Sequence, residues 1–149
     1  FLLMKKFYWL NTFYALIIPA LVEPFNIFLM RQYIKGIPVS LEESGRIDGA
    51  NDFQIFFKII LPLCKPALAV VGINTFLGSW NSFLYPFLLT NTENMRTLPV
   101  GLALFEGQHG AYWGQMMAGS GIAVIPIIIV FLVFQKYIIS GLTAGAEKG

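Results

Sequence analysis

Charge is what this sequence has least of. Lys, Arg, Asp and Glu make up 12% of its 149 residues, against about 25% in ordinary soluble domains. A net charge of +2, with acids and bases interleaved and no basic run carrying aromatics, argues against nucleic acid as a partner. The single cysteine, Cys64, excludes an internal disulfide and a cysteine-built metal site. The single histidine, His109, lies among Gly107, Gln108 and Gly110 and is expected in a loop. No glycine-rich loop with a lysine is present to cradle phosphates, so no cofactor is expected on this chain. Internal repeats and low-complexity tracts are absent. No signal peptide is read, because in FLLMKKFYW the charges follow the apolar residues instead of preceding them. An opening on Phe1, inside an apolar stretch, leads to the expectation of a chain lacking its N-terminal part, whereas GLTAGAEKG has the small, polar character of a natural end.

What is abundant is apolar. Hydrophobic residues reach 56% and mean hydropathy is +0.68. A soluble domain of this size has no interior able to hide so many Phe, Ile and Leu side chains, so the class expected is all-α integral membrane. Three segments approach the ~20 apolar residues that a bilayer crossing needs: residues 12–33, 66–89 and 116–139. Between the first two lies a polar segment, 34–65, and between the last two a segment at 90–115; residues 140–149 form a tail. No stretch of loop is expected inside a span. Arg31, Lys35, Arg46, Lys58 and Lys65 cluster around the first connection, while the second carries only Arg96. Positive charge marks the cytoplasmic side, which puts 34–65 and the tail inside and 90–115 outside. Lys5 and Lys6 then fall outside, against the rule. Trp9, Tyr14, Tyr33, Tyr85, Tyr112, Trp113 and Tyr137 fall near the membrane boundaries; Trp80 lies deeper.

Polar groups inside the spans are few. Glu23 stands between Pro19 and Pro24 in the first span. An ionisable group there costs at least ~2.5 kcal/mol and needs a partner or water. It either lines a solute path or sits protonated against freed backbone or a neighbouring helix. In the second span Asn74, Gly78, Asn81, Ser82 and Tyr85 recur at i, i+4, i+7, i+8 and i+11, one helical face. That face lines a cavity or bonds to other helices. Pro86 bends or ends the span. Met116, Met117, Ala118, Gly119, Ser120 and Gly121 open the third span with the small residues that close helix packing uses.

The segment from Pro38 to Pro66 holds half of the acidic residues of the chain. Ser40-Leu41-Glu42-Glu43 has the spacing of a capping box and predicts a short helix from Leu41 to about Asp48. Gly49 suits the positive φ that ends such a helix. Asn51 or Asp52 can cap a second helix, with Gln54 three residues after Asn51. That helix carries Phe53, Phe56, Phe57, Ile59 and Ile60 and is expected to stop before Pro62; Pro66 fits the first turn of the next span. Two short helices at an angle then present Ile47, Ala50, Phe53 and Phe56 or Phe57. These apolar side chains call either for the membrane surface or for the groove of a partner protein.

Glu43-Ser44-Gly45, then Gly49, then nine residues, then Ile59-Ile60-Leu61-Pro62, resembles the EAA loop of ATP-binding-cassette importer permeases. Arg46-Ile47-Asp48-Gly49-Ala50, Thr75-Phe76-Leu77-Gly78-Ser79-Trp80-Asn81 and Gly141-Leu142-Thr143-Ala144-Gly145-Ala146 with Lys148-Gly149 are similar to the carbohydrate-uptake permeases of the maltose and glycerol-phosphate type. Ser44-Gly45 stands where that family prefers two alanines. Small size is kept, while Gly45 weakens its helix by up to ~1 kcal/mol.

The resemblance implies the C-terminal half of a six-helix permease in a bacterial or archaeal cell (inner) membrane. It further implies pairing with a second permease subunit and sharing of a cytosolic ATPase dimer, which holds the ATP and magnesium. An extracytoplasmic solute-binding protein would deliver a sugar or related polyol. By position, Glu43 is the acidic anchor toward the ATPase, Gly49 makes the bend, and Ile47, Asp48, Ala50 and Phe53 form the docking knob, with Ser44 and Gly45 in the same loop. Glu23, Asn74, Gly78, Asn81 and Tyr85 are the candidates for the translocation path. A secondary transporter or channel with an amphipathic cytoplasmic loop is the alternative. An enzyme is not expected, because Glu23, Glu43 and His109 lie in three different compartments and cannot form an acid–base pair.

Overall fold

Prolines decide where the helices stop. The computed structural model describes residues 1–109 and 113–146, with side chains described for 1–104 and 113–136, and every regular element among these residues is helical. In chain order the helices are α1 (Leu2–Lys6), α2 (Phe13–Ile17) with a 3-10 turn at Ile18–Ala20, α3 (Pro24–Lys35), α4 (Ser40–Ile47) and α5 (Asp52–Ile55). A π-turn at Phe56–Ile60 leads into α6 (Leu61–Leu63). Then come α7 (Lys65–Trp80), α8 (Leu84–Leu89), a 3-10 turn at Glu93–Met95, α9 (Leu98–His109) and α10 (Trp113–Ala146).

The first two expected spans are interrupted, contrary to the sequence reading. Residues 21–23 leave the helix before Pro24, and Glu23 is extended, with φ −104° and ψ 116°. The residue before a proline avoids the helical region, and proline itself suits the first turn. Residues 81–83 likewise separate α7 from α8, in the stretch just ahead of Pro86, whose missing N–H and ring oppose a continuous helix. The segment at 90–115 is not merely a loop. Leu98–His109 is a helix with Pro99 in its first turn, so the backbone of His109 is helical. The tail is helical as far as Ala146; Lys148 and Gly149 lie outside the described residues, as does Tyr112.

Within α10, Trp113–Lys136 is the one described helix long and apolar enough to cross a membrane alone. The number rises to as many as three if Phe13–Ala20 with Pro24–Lys35, and Asp52–Leu63 with Lys65–Trp80, are each one broken span. The third expected span is therefore covered by one unbroken helix, as anticipated, despite Pro126 inside it.

The chain forms two compact units: Phe1–Val22 with Phe76–Phe131, and Glu23–Thr75 with Leu132–Gly149. In the first, α2 packs against α8, and Asn11 ties the ends of the chain segments together. Asn11 adopts φ 59°, its N–H donates to the Leu89 carbonyl at 2.8 Å, and its Oδ1 accepts from the Asn91 and Thr92 amides and from the Thr92 hydroxyl. A short polar side chain is what tolerates this left-handed conformation. Trp80, the aromatic off the expected belt, donates its indole N–H to the Ala123 carbonyl at 3.0 Å, the partner that a buried indole seeks. Of the small residues expected to allow close packing, Gly119 does so: a Cβ there would lie 2.5 Å from Leu102 Cδ2, whereas at Gly121 nothing lies within 4 Å.

In the second unit the polar hairpin, 40–63, folds onto the C-terminal part of α3. Ile55, Ile60 and Cys64 form a buried cluster, against which Met30, Ile34, Ile37, Ala50 and Ile59 pack. Asp52–Leu63 and Lys65–Trp80 meet at 74°.

Candidate functional site

The hairpin is shaped by local chemistry that the sequence announces. Gly49 has φ +79°, a region where L side chains are strained by ~1–2 kcal/mol, and it turns the chain between α4 and α5. Asn51 then caps α5 with a complete capping box: its Oδ1 accepts from the Gln54 backbone N–H at 2.9 Å, and the Gln54 side-chain Oε1 accepts from the Asn51 backbone N–H at 2.9 Å. The box expected at Ser40 is not formed. The amides of Leu41, Glu42 and Glu43 bond to the Pro38 and Val39 carbonyls, so the helix starts at Ser40 itself and leaves that side chain no amide to cap. Ser44 Oγ donates back to the Leu41 carbonyl, a local bond typical of serine within a helix.

The second helical run also passes the point where it was expected to stop. It continues through Pro62 to Leu63. Proline at 62 supplies no N–H and clashes with the carbonyl four residues back. The wider π-turn at Phe56–Ile60 accommodates the extra residue that such a defect introduces.

The hairpin has two faces. Ile47 and Phe53 are 86% and 78% exposed and point outward beside exposed Glu43, Ser44, Asp48 and Gly49. Gly45 is buried, and a Cβ at that position would meet Ile59 Cδ1 at 2.8 Å and Ile55 Cγ1 at 3.2 Å. Ala50, read as part of the exposed knob, is instead half-buried against the core. Arg46 and Asp52 pair across the bend at 3.1 Å, a contact that spacing alone did not reveal. Both groups are exposed, so the pair adds little stability.

Glu23 is exposed and has a hydrogen-bond partner. Asn26 Nδ2 donates to Glu23 Oε2 at 2.6 Å and to Thr75 Oγ1 at 2.9 Å, and Asn74 Nδ2 donates to Asn26 Oδ1 at 3.2 Å. Asn26 is thus the centre of a polar knot that joins Glu23 to Asn74. Sequence reasoning passed over Asn26 and Thr75; the available signal was a lone amide three residues after Glu23 in an apolar span. The expected single face running from Asn74 to Tyr85 does not exist as such. Asn74 and Gly78 lie on α7, Asn81 follows its end with Nδ2 on the Leu77 carbonyl, and Tyr85 belongs to α8. Among the described residues no group of His, Cys, Asp and Glu is placed to hold a metal ion.

Residues 1–143 match the family of binding-protein-dependent transport system inner membrane components. The chain is 45% identical over 149 residues to the arabinooligosaccharides transport system permease protein of Halalkalibacterium halodurans, covering all of this chain and 53% of that protein. It is 43% identical over 152 residues to the trehalose/maltose transport system permease protein of Thermococcus litoralis, covering all of this chain and 55% of that one. Its fold is similar to that of a chain in the crystal structure of a bacterial ABC transporter involved in the import of the acidic polysaccharide alginate. There the TM-score is 0.77 at 33% identity, over 91% of this chain and 54% of the other. The chain spans about half the length of the curated relatives it matches.

Proposed function

The chain belongs to the family of binding-protein-dependent transport system inner membrane components, and from that premise we propose that it acts as the permease subunit of an ATP-driven importer of a sugar or related polyol. In this reading an extracytoplasmic solute-binding protein delivers the solute, a second permease subunit completes the path, and a cytosolic ATPase dimer drives it from the inner membrane's cytoplasmic face. ATP and magnesium belong to that ATPase. The observation that carries the reading is the hairpin: its apolar residues Ile47 and Phe53 stand exposed, on a segment whose Glu43, Arg46, Asp48 and Asp52 are exposed as well. Exposed apolar residues among exposed charges suit a docking knob, which uses an apolar centre with a polar rim.

In mechanism, Glu43 anchors the loop to a basic group of the ATPase. Gly49 gives the bend between Ile47 and Phe53, with Asp48 at the turn, Ser44 exposed beside it, and Gly45 and Ala50 packed inward to hold the hairpin compact. ATP-driven closure then moves the docked hairpin and tilts the helices. Glu23, Asn74, Asn81 and Tyr85 contribute hydroxyl-bonding groups to the path, with Gly78 among its lining positions; Asn26 and Thr75 join Glu23 and Asn74 through the polar knot.

The test is made on the complete transporter in proteoliposomes. Gly49→Asp and Glu43→Lys abolish solute-stimulated ATP hydrolysis while membrane insertion stays normal. Normal coupling in both variants would sink the docking assignment.

A further inference from the structure

We propose that α3 is the lever that connects the two sites: movement of the docked hairpin is carried to the polar knot through α3, with Ile34 and Ile60 as positioning residues. The inference rests on the import reading above.

Three observations support it. The inner face of the hairpin is the buried part, and Ile55, Ile60 and Cys64 pack with Met30, Ile34 and Ile37. A close-packed contact of this kind has low compressibility and passes displacement on. The backbone route from the hairpin into α7 is softer by comparison. It runs through the π-turn, Pro62, which removes one helical hydrogen bond, and the 74° bend at Cys64. Finally, Asn26, Met30 and Ile34 recur at i, i+4 and i+8 along α3, one face of a helix. The face that packs on the hairpin at one end of α3 therefore holds Asn74 and Thr75 through Asn26 at the other. Apart from Pro24 in its first turn, α3 contains no proline or glycine, and its twelve residues make a rod of roughly 18 Å.

The test needs no knowledge of the solute. Phe25, exposed in the first turn of α3, is replaced by cysteine in the complete transporter: the full-length permease, its partner permease, the ATPase and the binding protein, in proteoliposomes. The rate of labelling by a membrane-permeant maleimide is compared with and without ATP and vanadate. The unaltered lever gives a change in labelling rate of about fivefold on trapping; Ile34→Ala and Ile60→Ala reduce it to less than about twofold while vanadate-trapped nucleotide stays unchanged. The double variant is no worse than either single one, because both act in one packed cluster. Ile34→Val and Ile60→Val keep most of the response and serve where an alanine variant fails to assemble. Leu68→Ala, on α7 outside this core, keeps all of it. A response that persists in the alanine variants, that falls equally in Leu68→Ala, or that is absent in the parent transporter overturns the lever. Failure of the complex to trap nucleotide at all would instead overturn the import reading.

Discussion

Of the regions that expose large apolar side chains, α10 and the hairpin differ most in the charges around them. Along α10, Ile122, Val124, Ile125, Ile128, Ile129, Phe131, Leu132 and Val133 are exposed in a run that has no charged residue before Lys136. On the hairpin, Ile47 and Phe53 are more exposed still, but Glu42, Glu43, Arg46, Asp48, Asp52 and Lys58 surround them in the sequence. Exposure alone does not separate a lipid-facing helix from a docking surface. The neighbouring charges do, because hydrocarbon penalises a charge by several kcal/mol, while the rim of a protein interface accepts it.

The strongest way to break this comparison is to place the same charge in both regions. Ile128→Lys on α10 raises the cost of insertion by about 2.5–3.5 kcal/mol, and protease protection shows a large loss of correctly inserted chain. Phe53→Lys on the hairpin leaves insertion unchanged and instead prevents co-purification of the ATPase. Equal insertion defects in the two variants would erase the distinction.

Smaller changes sharpen it by loosening the hairpin alone. Asn51→Ala removes the cap of α5 and lowers local stability by about 1 kcal/mol, read as faster hydrogen exchange at the Gln54 amide with the α10 amides unchanged. Asp52→Ala removes the exposed pair with Arg46 and costs only ~0.2–1 kcal/mol in the same measurement. Gly45→Ala has the smallest effect. Alanine favours the helix by up to ~1 kcal/mol, but its methyl meets Ile59 Cδ1, the mobile end of a side chain. The two terms nearly cancel, so the exchange rates of α4 change by less than about threefold.

What was legible in the sequence was local. Gly49 needed a left-handed turn, Asn51 and Gln54 had capping-box spacing, Pro66 suited a helix start, and Glu23 needed a partner; each follows from residues within a few positions of one another. What was missed required contacts across the chain or competition between neighbours. Ser40 lost its capping role because Pro38 and Val39 supplied carbonyls first. Ala50 turned inward because the cluster of Ile55, Ile60 and Cys64 was there to receive it, and Asn26 became the centre of the polar knot because α7 brings Asn74 and Thr75 to it. The helix at Leu98–His109 was passed over when 90–115 was read by charge; it has no apolar stripe to announce it, and Pro99 in its first turn was the available signal. Resemblance reached the family, which physical reasoning about the spans alone did not.

Cross-linking tests the central claim most directly. Single cysteines at Ile47, Phe53, Ile128 and Phe131, in the complete transporter carrying Cys64→Ser, are treated with a short bismaleimide against cysteines placed around the surface cleft of the ATPase. The account predicts cross-links from positions 47 and 53 and none from 128 and 131. Cross-links absent at 47 and 53, with the complex intact, would contradict it.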